Sequence, residues 1–153
     1  MRRRLIITSV VLAVVVFVAI SVMLARAFNA DSAERSAVTD LATAEAHGDT
    51  AAAVAQLQDC AAIAACRARI ASNAAAIHHA GNVQVLQLEP STSFSLGSTL
   101  GNARIAFQVG GSLPTVQCVR VRRAGNVVSG LRIELLAVSA PLKGDATCGP
   151  SGP

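Results

Sequence analysis

The hydrophobic pattern of the chain begins with one long apolar run. Residues 5–25 (LIITSVVLAVVVFVAISVMLA) carry no charge, and they are preceded by three arginines at positions 2–4 and followed by Arg26. A helix of 21 residues rises about 31 Å, which matches the roughly 30 Å hydrocarbon core of a bilayer. The pattern therefore predicts a transmembrane helix over residues 5–25, after a short basic N-terminus at residues 1–4.

A cleaved signal peptide is the alternative interpretation. Ala25-Arg26-Ala27 fits an A-x-A cleavage site, and the arginines before the run fit a charged n-region. Signal h-regions have roughly 7 to 15 residues, so the longer run favours an uncleaved signal anchor. Since three arginines precede the run and one follows it, the positive-inside rule places the N-terminus in the cytoplasm and residues 28–153 outside the cell membrane.

A helical pattern follows a short linker, which is expected at residues 26–30. Apolar residues then recur at spacings of three and four, which predicts a helix from about Asp31 to His47, with Asp31 or Ser32 as its N-cap. Gly48 is expected to end this helix in the left-handed conformation. The apolar stripe comprises Ala37, Val38, Leu41 and Ala44, with Glu45 expected off its centre.

Two further helices are predicted before the chain changes character. The first covers roughly residues 51–59, with Asp49 or Thr50 as its cap, and the second covers roughly residues 61–79. The sequence Ala80-Gly81-Asn82 is expected to end the last helix.

From Val83 onward the pattern is typical of β-strands. In the third predicted strand Val119 and Val121 point to one side, whereas Arg120 and Arg122 point to the other. Such alternation predicts an antiparallel sheet with helices on one side, and therefore an α+β domain over residues 31–140 with a Gly/Pro-rich tail at 141–153. The strands are predicted at 83–88, 104–109, 115–122 and 127–138, and residues 93–96 extend the first strand or start another.

Four cysteines in an extracytoplasmic domain predict two disulfides, for which three connectivities are possible. The preferred pairs are Cys60 with Cys66 and Cys118 with Cys148. Six residues of unbroken helix would separate the first pair by roughly 9 Å between Cα atoms, beyond the ~7 Å limit of a disulfide, so this pairing requires a break in the helix. A zinc site is disfavoured because the spacing lacks close C-x2–4-C pairs.

The net charge of +4 comes from the membrane-flanking residues. Four of the thirteen basic residues flank the apolar run, which leaves nine against the nine acidic residues of the outer domain. A neutral domain without Trp or Tyr lacks the basic surface and the stacking platforms of a nucleic-acid binder. Acidic residues concentrate in residues 31–59 and basic residues in 104–153, so these halves either attract each other, face solvent or face a partner.

No catalytic motif is present, and the chain is expected not to be an enzyme and to need no cofactor or metal. The histidines His47, His78 and His79 stand at predicted helix ends, where a helix dipole explains them. The hydroxyl-rich residues 91–95 follow a proline, which favours a turn. The candidate recognition residues are Arg120, Arg122 and Arg123, because arginine forks suit carboxylates or phosphates.

The outer part of the chain resembles the cystatin-like and nuclear-transport-factor-two-like superfamily. The resemblance rests on Ala42-Thr-Ala-Glu-Ala-His-Gly-Asp49 followed by Ala51-Ala-Ala-Val-Ala-Gln-Leu57, which looks like the helix, Gly-Asp turn and second helix at the start of such domains. It covers roughly residues 31–140 and implies helices against a curved antiparallel sheet, a cystatin-like cone. The whole chain is similar to small, alanine-rich, membrane-anchored envelope proteins of actinobacteria, some of them associated with mammalian-cell-entry transport systems.

These observations lead to a functional expectation. The chain is expected to be a single-pass, membrane-anchored accessory or interaction protein of the cell envelope, with the lipid bilayer and another envelope protein as partners and no nucleic acid. The alternative is an extracytoplasmic sensor or carrier domain whose concave sheet binds a small ligand. A hydrolase is the third possibility and would require an acid and a histidine in one cleft.

Overall fold

The computed structural model describes residues 2–92, 98–126, 128, 130–143 and 146–149. A long apolar helix, two further helices and a four-stranded antiparallel sheet confirm the predicted α+β layout. The helices are α1 (Arg2–Ala46), α2 (Thr50–Gln56) and α3 (Ala64–Ile77), with a short 3-10 helix at Cys60–Ala62. The strands are β1 (Val83–Glu89), β2 (Thr99–Val109), β3 (Thr115–Asn126) and β4 (Gly130–Val138).

Helix α1 is continuous from the apolar run into the outer domain. Its most apolar window has a mean hydropathy of 2.9 with no residue buried, so by length and composition it can cross a membrane or act as a signal anchor. Residues 26–30, expected as a linker, are helical, because no glycine or proline occurs between Arg26 and Ala46. The expected helix start and cap at Asp31 are therefore corrected.

The exposure of α1 changes sharply near its middle. Residues 6–26 are exposed, whereas Ala27 and Ala30 are buried at 6% and 4% relative exposure. Further along, Val38 and Leu41 are completely covered by the sheet and the other helices. One helix thus supplies both the apolar run and a central part of the domain core.

The sheet is an antiparallel meander in the order β1-β2-β3-β4. Alternate residues of its two central strands face the helices, among them Ile105 and Phe107 of β2 and Val119 and Val121 of β3. These four side chains are buried at 0–1% relative exposure. The space between the helices and the sheet is therefore filled with apolar side chains.

The helix break required by the first disulfide is present. Cys60 and Cys66 are bonded, with their Cα atoms 5.3 Å apart. The 3-10 helix ends at Ala62, and Ile63 adopts an extended conformation before α3 begins. The chain leaves the helical path before the first cysteine, because the amide of Gln58 donates a hydrogen bond to the carbonyl of Leu135 in β4 at 2.8 Å. This contact ends α2 earlier than predicted.

The turn between α1 and α2 follows the sequence prediction. Gly48 has a φ of +76°, in the left-handed region that glycine enters without a steric penalty. Asp49 then caps α2, since its carboxylate accepts a hydrogen bond from the amide of Ala52 at 2.9 Å.

The C-terminal segment covers part of the sheet face opposite the helices. The second predicted disulfide, Cys118–Cys148, is present, and Leu142 pairs with Val116 through two backbone hydrogen bonds. The Nε of Arg104 donates to the carbonyl of Ala146 at 2.8 Å. The helices therefore lie on one face of the sheet, as predicted, and the C-terminal segment covers part of the other face.

Candidate functional site

The three arginines expected as one recognition cluster lie on opposite faces of β3. Strand alternation places Arg120 and Arg122 on the outer face and Arg123 on the helix-facing side. Arg122 pairs with Glu134 of β4 and donates to the side chain of Gln58 at 3.1 Å. The expected cluster is corrected for Arg123, which is buried, whereas recognition by Arg120 and Arg122 stays a prediction.

Arg123 instead forms an ion pair in the core. Its Nε lies 2.7 Å from Oε2 of Glu34, and the two side chains are 1% and 0% exposed. Its Nη2 also reaches Oδ1 of Asp31 at 3.3 Å and the carbonyl of Thr92 at 3.2 Å. The acidic first part of the domain and the basic last part are thus joined directly at this pair.

Glu34 has a second set of partners in the connection that follows β1. The backbone amide of Ser91 donates to its Oε1, and the Ser91 hydroxyl lies 3.0 Å from its Oε2. The carboxylate therefore joins α1, β3 and this connection. Residues 93–95 of the hydroxyl-rich stretch lie outside the described residues.

A second buried carboxyl group, that of Glu45, is held by amides instead of a cation. The Nε2 of Gln117 lies 2.6 Å from Oε2 of Glu45, and the Nδ2 of Asn73 lies 3.2 Å from its Oε1. The same Nδ2 group donates to the carbonyl of Ser139 at 2.9 Å. Desolvation by burial raises the pKa of Glu45, and the two side-chain hydrogen bonds oppose that rise only in part. This group therefore retains its proton to higher pH than an exposed glutamate does.

The spacing of Glu34 and Glu45 along α1 indicates that both are buried, although the sequence prediction did not place them in the core. Glu34, Val38, Leu41 and Glu45 follow one another at spacings of four, three and four, so they share one face of α1. The expectation that Glu45 lies off the centre of the stripe was wrong, because it is 0% exposed. An acid on an apolar stripe indicates a buried partner, here Arg123 for Glu34 and Gln117 for Glu45.

Two of the three histidines, His47 and His78, border an open cleft of about 440 Å³ that also includes Gly48. The Nδ1 of His78 lies 3.3 Å from the carbonyl oxygen of Ala46, at the end of α1. This contact agrees with the interpretation that the histidines interact with carbonyl groups at the C-terminal ends of helices. Among the residues that the structure describes, no group of three His, Cys, Asp or Glu side chains is arranged to hold a metal ion.

A contact between Arg26 and the β3–β4 hairpin lies where α1 enters the domain. The guanidinium of Arg26 donates to the carbonyl of Val128, at the tip of the β3–β4 hairpin. A cleft of about 370 Å³ lies beside it, lined by Arg26, Asn29, Ala30, Ala33, Gly130 and Leu131. The apolar part of α1 and this hairpin tip are therefore neighbours.

Comparisons of the chain with protein-family models, with curated proteins and with solved structures give no match.

Proposed function

We propose that this protein is a single-pass membrane protein that presents its disulfide-bonded α+β domain outside the cytoplasm, as a non-enzymatic accessory or interaction domain of the cell envelope. The observation that carries the proposal is the continuity of α1. The same helix has an exposed apolar half over residues 6–26 and a buried half that forms part of the domain core. Such a helix fixes the domain directly at the membrane surface.

Retention of the helix is supported by the structure around the alternative cleavage site. The peptide bond after Ala27 lies inside α1, and the Ala27 side chain is 6% exposed. Proteolysis of the folded chain requires local opening of the backbone, and burial disfavours that opening. The two disulfides favour an oxidising location, and the arginines before the run favour a cytoplasmic N-terminus.

The proposal of a non-enzymatic role is supported by the positions of the two buried acids. Glu34 is in an ion pair with Arg123, and Glu45 is enclosed by amides, so neither carboxyl group reaches solvent. General acid or base catalysis requires such a group within hydrogen-bond reach of a substrate. Buried side chains fill the helix-facing side of the sheet, which argues against the alternative of a small-ligand pocket there.

The proposed partner surface is the outer face of β3, where Arg120 and Arg122 lie. Both residues are partly exposed, and arginine recognises carboxylates with paired hydrogen bonds. We therefore propose an envelope protein with an acidic surface as the partner. The resemblance to cystatin-like and nuclear-transport-factor-two-like domains, and to actinobacterial envelope proteins, stays a prediction.

Two measurements test the anchoring. Extraction of membranes with alkaline carbonate should leave the protein in the pellet, and N-terminal sequencing of that fraction should not begin at Phe28. Protease added to intact spheroplasts should degrade the domain. An N-terminus at Phe28, or a domain degraded only after lysis, would overturn the proposed arrangement.

The interaction role has a separate test. Crosslinking in intact membranes should capture a reproducible partner with the wild-type protein and less of it with Arg122→Ala. Arg69→Ala is the matched control, because Arg69 is exposed on α3, in the helix layer on the other side of the sheet. Equal capture by both variants would exclude the proposed surface, and no reproducible partner would count against the role itself.

A further inference from the structure

The height of Arg26 relative to a bilayer follows from the length of the apolar run. A span over residues 5–25 rises about 31 Å, close to the roughly 30 Å hydrocarbon thickness, so Arg26 lies at the outer hydrocarbon boundary. Arginine at this position extends its guanidinium toward the lipid headgroups while its stem stays apolar. The headgroup layer on each side is about 5–7 Å thick.

The tip of the β3–β4 hairpin lies at the same height. The carbonyl of Val128 accepts a hydrogen bond from the Arg26 guanidinium, so this carbonyl lies in the headgroup layer whenever Arg26 does. The Val128 side chain is 71% exposed. An apolar side chain is thus held at the membrane boundary with little of it covered by protein.

The geometry of the hairpin fixes this presentation. Asn126 accepts a hydrogen bond from the amide of Val128 at 2.9 Å, and Gly125 and Gly130 have φ values of +94° and +102°. A Cβ atom on Gly125 would lie only 2.3 Å from the carbonyl oxygen of Gly130. Gly125 therefore allows the strands to approach closely, and the positive φ of Gly130 lets the chain turn back into β4 after Val128.

The continuity of α1 removes the freedom that would let the domain tilt away from the membrane. A flexible linker would allow many orientations, but α1 has no interruption between the span and the core. Phe28 is also 69% exposed in the first turn beyond Arg26. Transfer of such exposed apolar side chains from water into the membrane is favourable.

From these contacts we infer that the tip of the β3–β4 hairpin inserts into the outer headgroup layer of the same bilayer that α1 crosses. The apolar contact is made by Val128, and the bond from Arg26 holds the hairpin at that depth. The domain is then attached at two points, the helix and the hairpin. This inference rests on the proposed membrane anchoring.

Single tryptophan probes test the inference in the full-length chain, since the natural sequence contains no tryptophan and no tyrosine. The reporter is Val128→Trp, and the matched control is Leu113→Trp, because Leu113 is 87% exposed in the turn between β2 and β3 at the opposite end of the sheet. A third variant, Phe17→Trp, reports on the span itself. Each is reconstituted into phosphatidylcholine vesicles with or without bromine on the acyl chains. The bromine is placed near the headgroups for V128W and L113W and near the bilayer centre for F17W, because residue 17 lies close to the middle of the span.

The inference predicts loss of V128W fluorescence in brominated vesicles and a blue-shifted emission relative to L113W. The L113W variant should keep its intensity and remain quenched by aqueous iodide. Quenching of F17W without quenching of V128W would overturn the inference and leave the anchoring intact. Absence of F17W quenching would overturn both. A V128W probe shielded from iodide but untouched by bromine would indicate a covering protein and also overturn the inference.

Discussion

Arg123 on β3 and Glu34 on α1 are 89 positions apart in the chain, yet Nε and Oε2 lie 2.7 Å from each other in the core. Both side chains are almost completely buried. The pair orients the helix that emerges from the apolar run relative to the sheet. It also holds the residues after β1, through Ser91 and Thr92.

Removal of one partner of this pair should destabilise the domain strongly. Arg123→Met leaves the Glu34 carboxylate buried without a cation, which typically costs about 3–5 kcal/mol. Arg122→Met is the matched control, because its pair with Glu134 is partly exposed and such pairs contribute about 0–1 kcal/mol. Urea unfolding in detergent micelles, followed by circular dichroism, measures both.

A double variant separates the cost of an unpaired charge from the contribution of the pair. Glu34→Leu combined with Arg123→Met removes both charges and should restore most of the lost stability, because apolar replacements of buried pairs are often neutral. Equal unfolding free energies for the two single arginine variants would contradict the central role of Arg123.

Glu45 should make the unfolding free energy depend on pH. Its pKa is raised in the folded state, chiefly by burial. The stability that the protonated carboxyl group contributes is therefore fully present at pH values below its ordinary pKa of 4.5. As pH rises above that value, the unfolded chain releases its proton first and stability falls until the folded-state pKa is passed. Each unit of difference corresponds to about 1.4 kcal/mol.

Glu45→Gln should remove this part of the pH dependence. Unfolding midpoints measured from pH 4 upward should decline less in the variant than in the wild type. Glu89→Gln provides the control, since its side chain is 57% exposed. A wild-type slope retained in the Glu45 variant would show that another group is responsible.

The two disulfides should contribute unequally to stability. Chain-entropy estimates give about 4 kcal/mol for Cys118–Cys148, with a sequence separation of 30, and about 2 kcal/mol for Cys60–Cys66, with a separation of 6. Replacement of each pair by serine, with unfolding measured in urea, compares them. A larger loss for the short loop would contradict the entropic explanation.

Interruption of α1 at the domain entrance should loosen the first turns of the helix in the domain. Asn29→Pro removes a helical hydrogen bond and introduces a clash, at a cost of about 3 kcal/mol. Asn29 is exposed, so Asn29→Ala is a control without loss of packing. Hydrogen exchange of residues 26–33 should be faster in the proline variant alone, and equal exchange in both would show that continuity at this point is not required.

Much of the local structure could be predicted because it depends on neighbouring residues. The span followed from an uncharged run, the α1–α2 turn from Gly48 and Asp49, and the strand centres from alternation. The β2 strand begins five residues before its predicted start, at Thr99. These five residues pair with β3 from Val119 to Arg123, and such pairing between distant segments leaves little trace in a local pattern.

The sequence by itself determined the apolar helix, the order of helices and strands, and a spacing of cysteines that requires a helix break. The face of Arg123 was not determined in this way, because the strand was predicted to end at residue 122 and only its continuation to Asn126 places Arg123 opposite Arg122. Only the tertiary structure decided which face is the core, that Arg123 meets Glu34, and that Glu45 is enclosed by Asn73 and Gln117. These outcomes depend on which surfaces meet when the chain folds, because a buried charge is tolerated only where a distant segment supplies its partner.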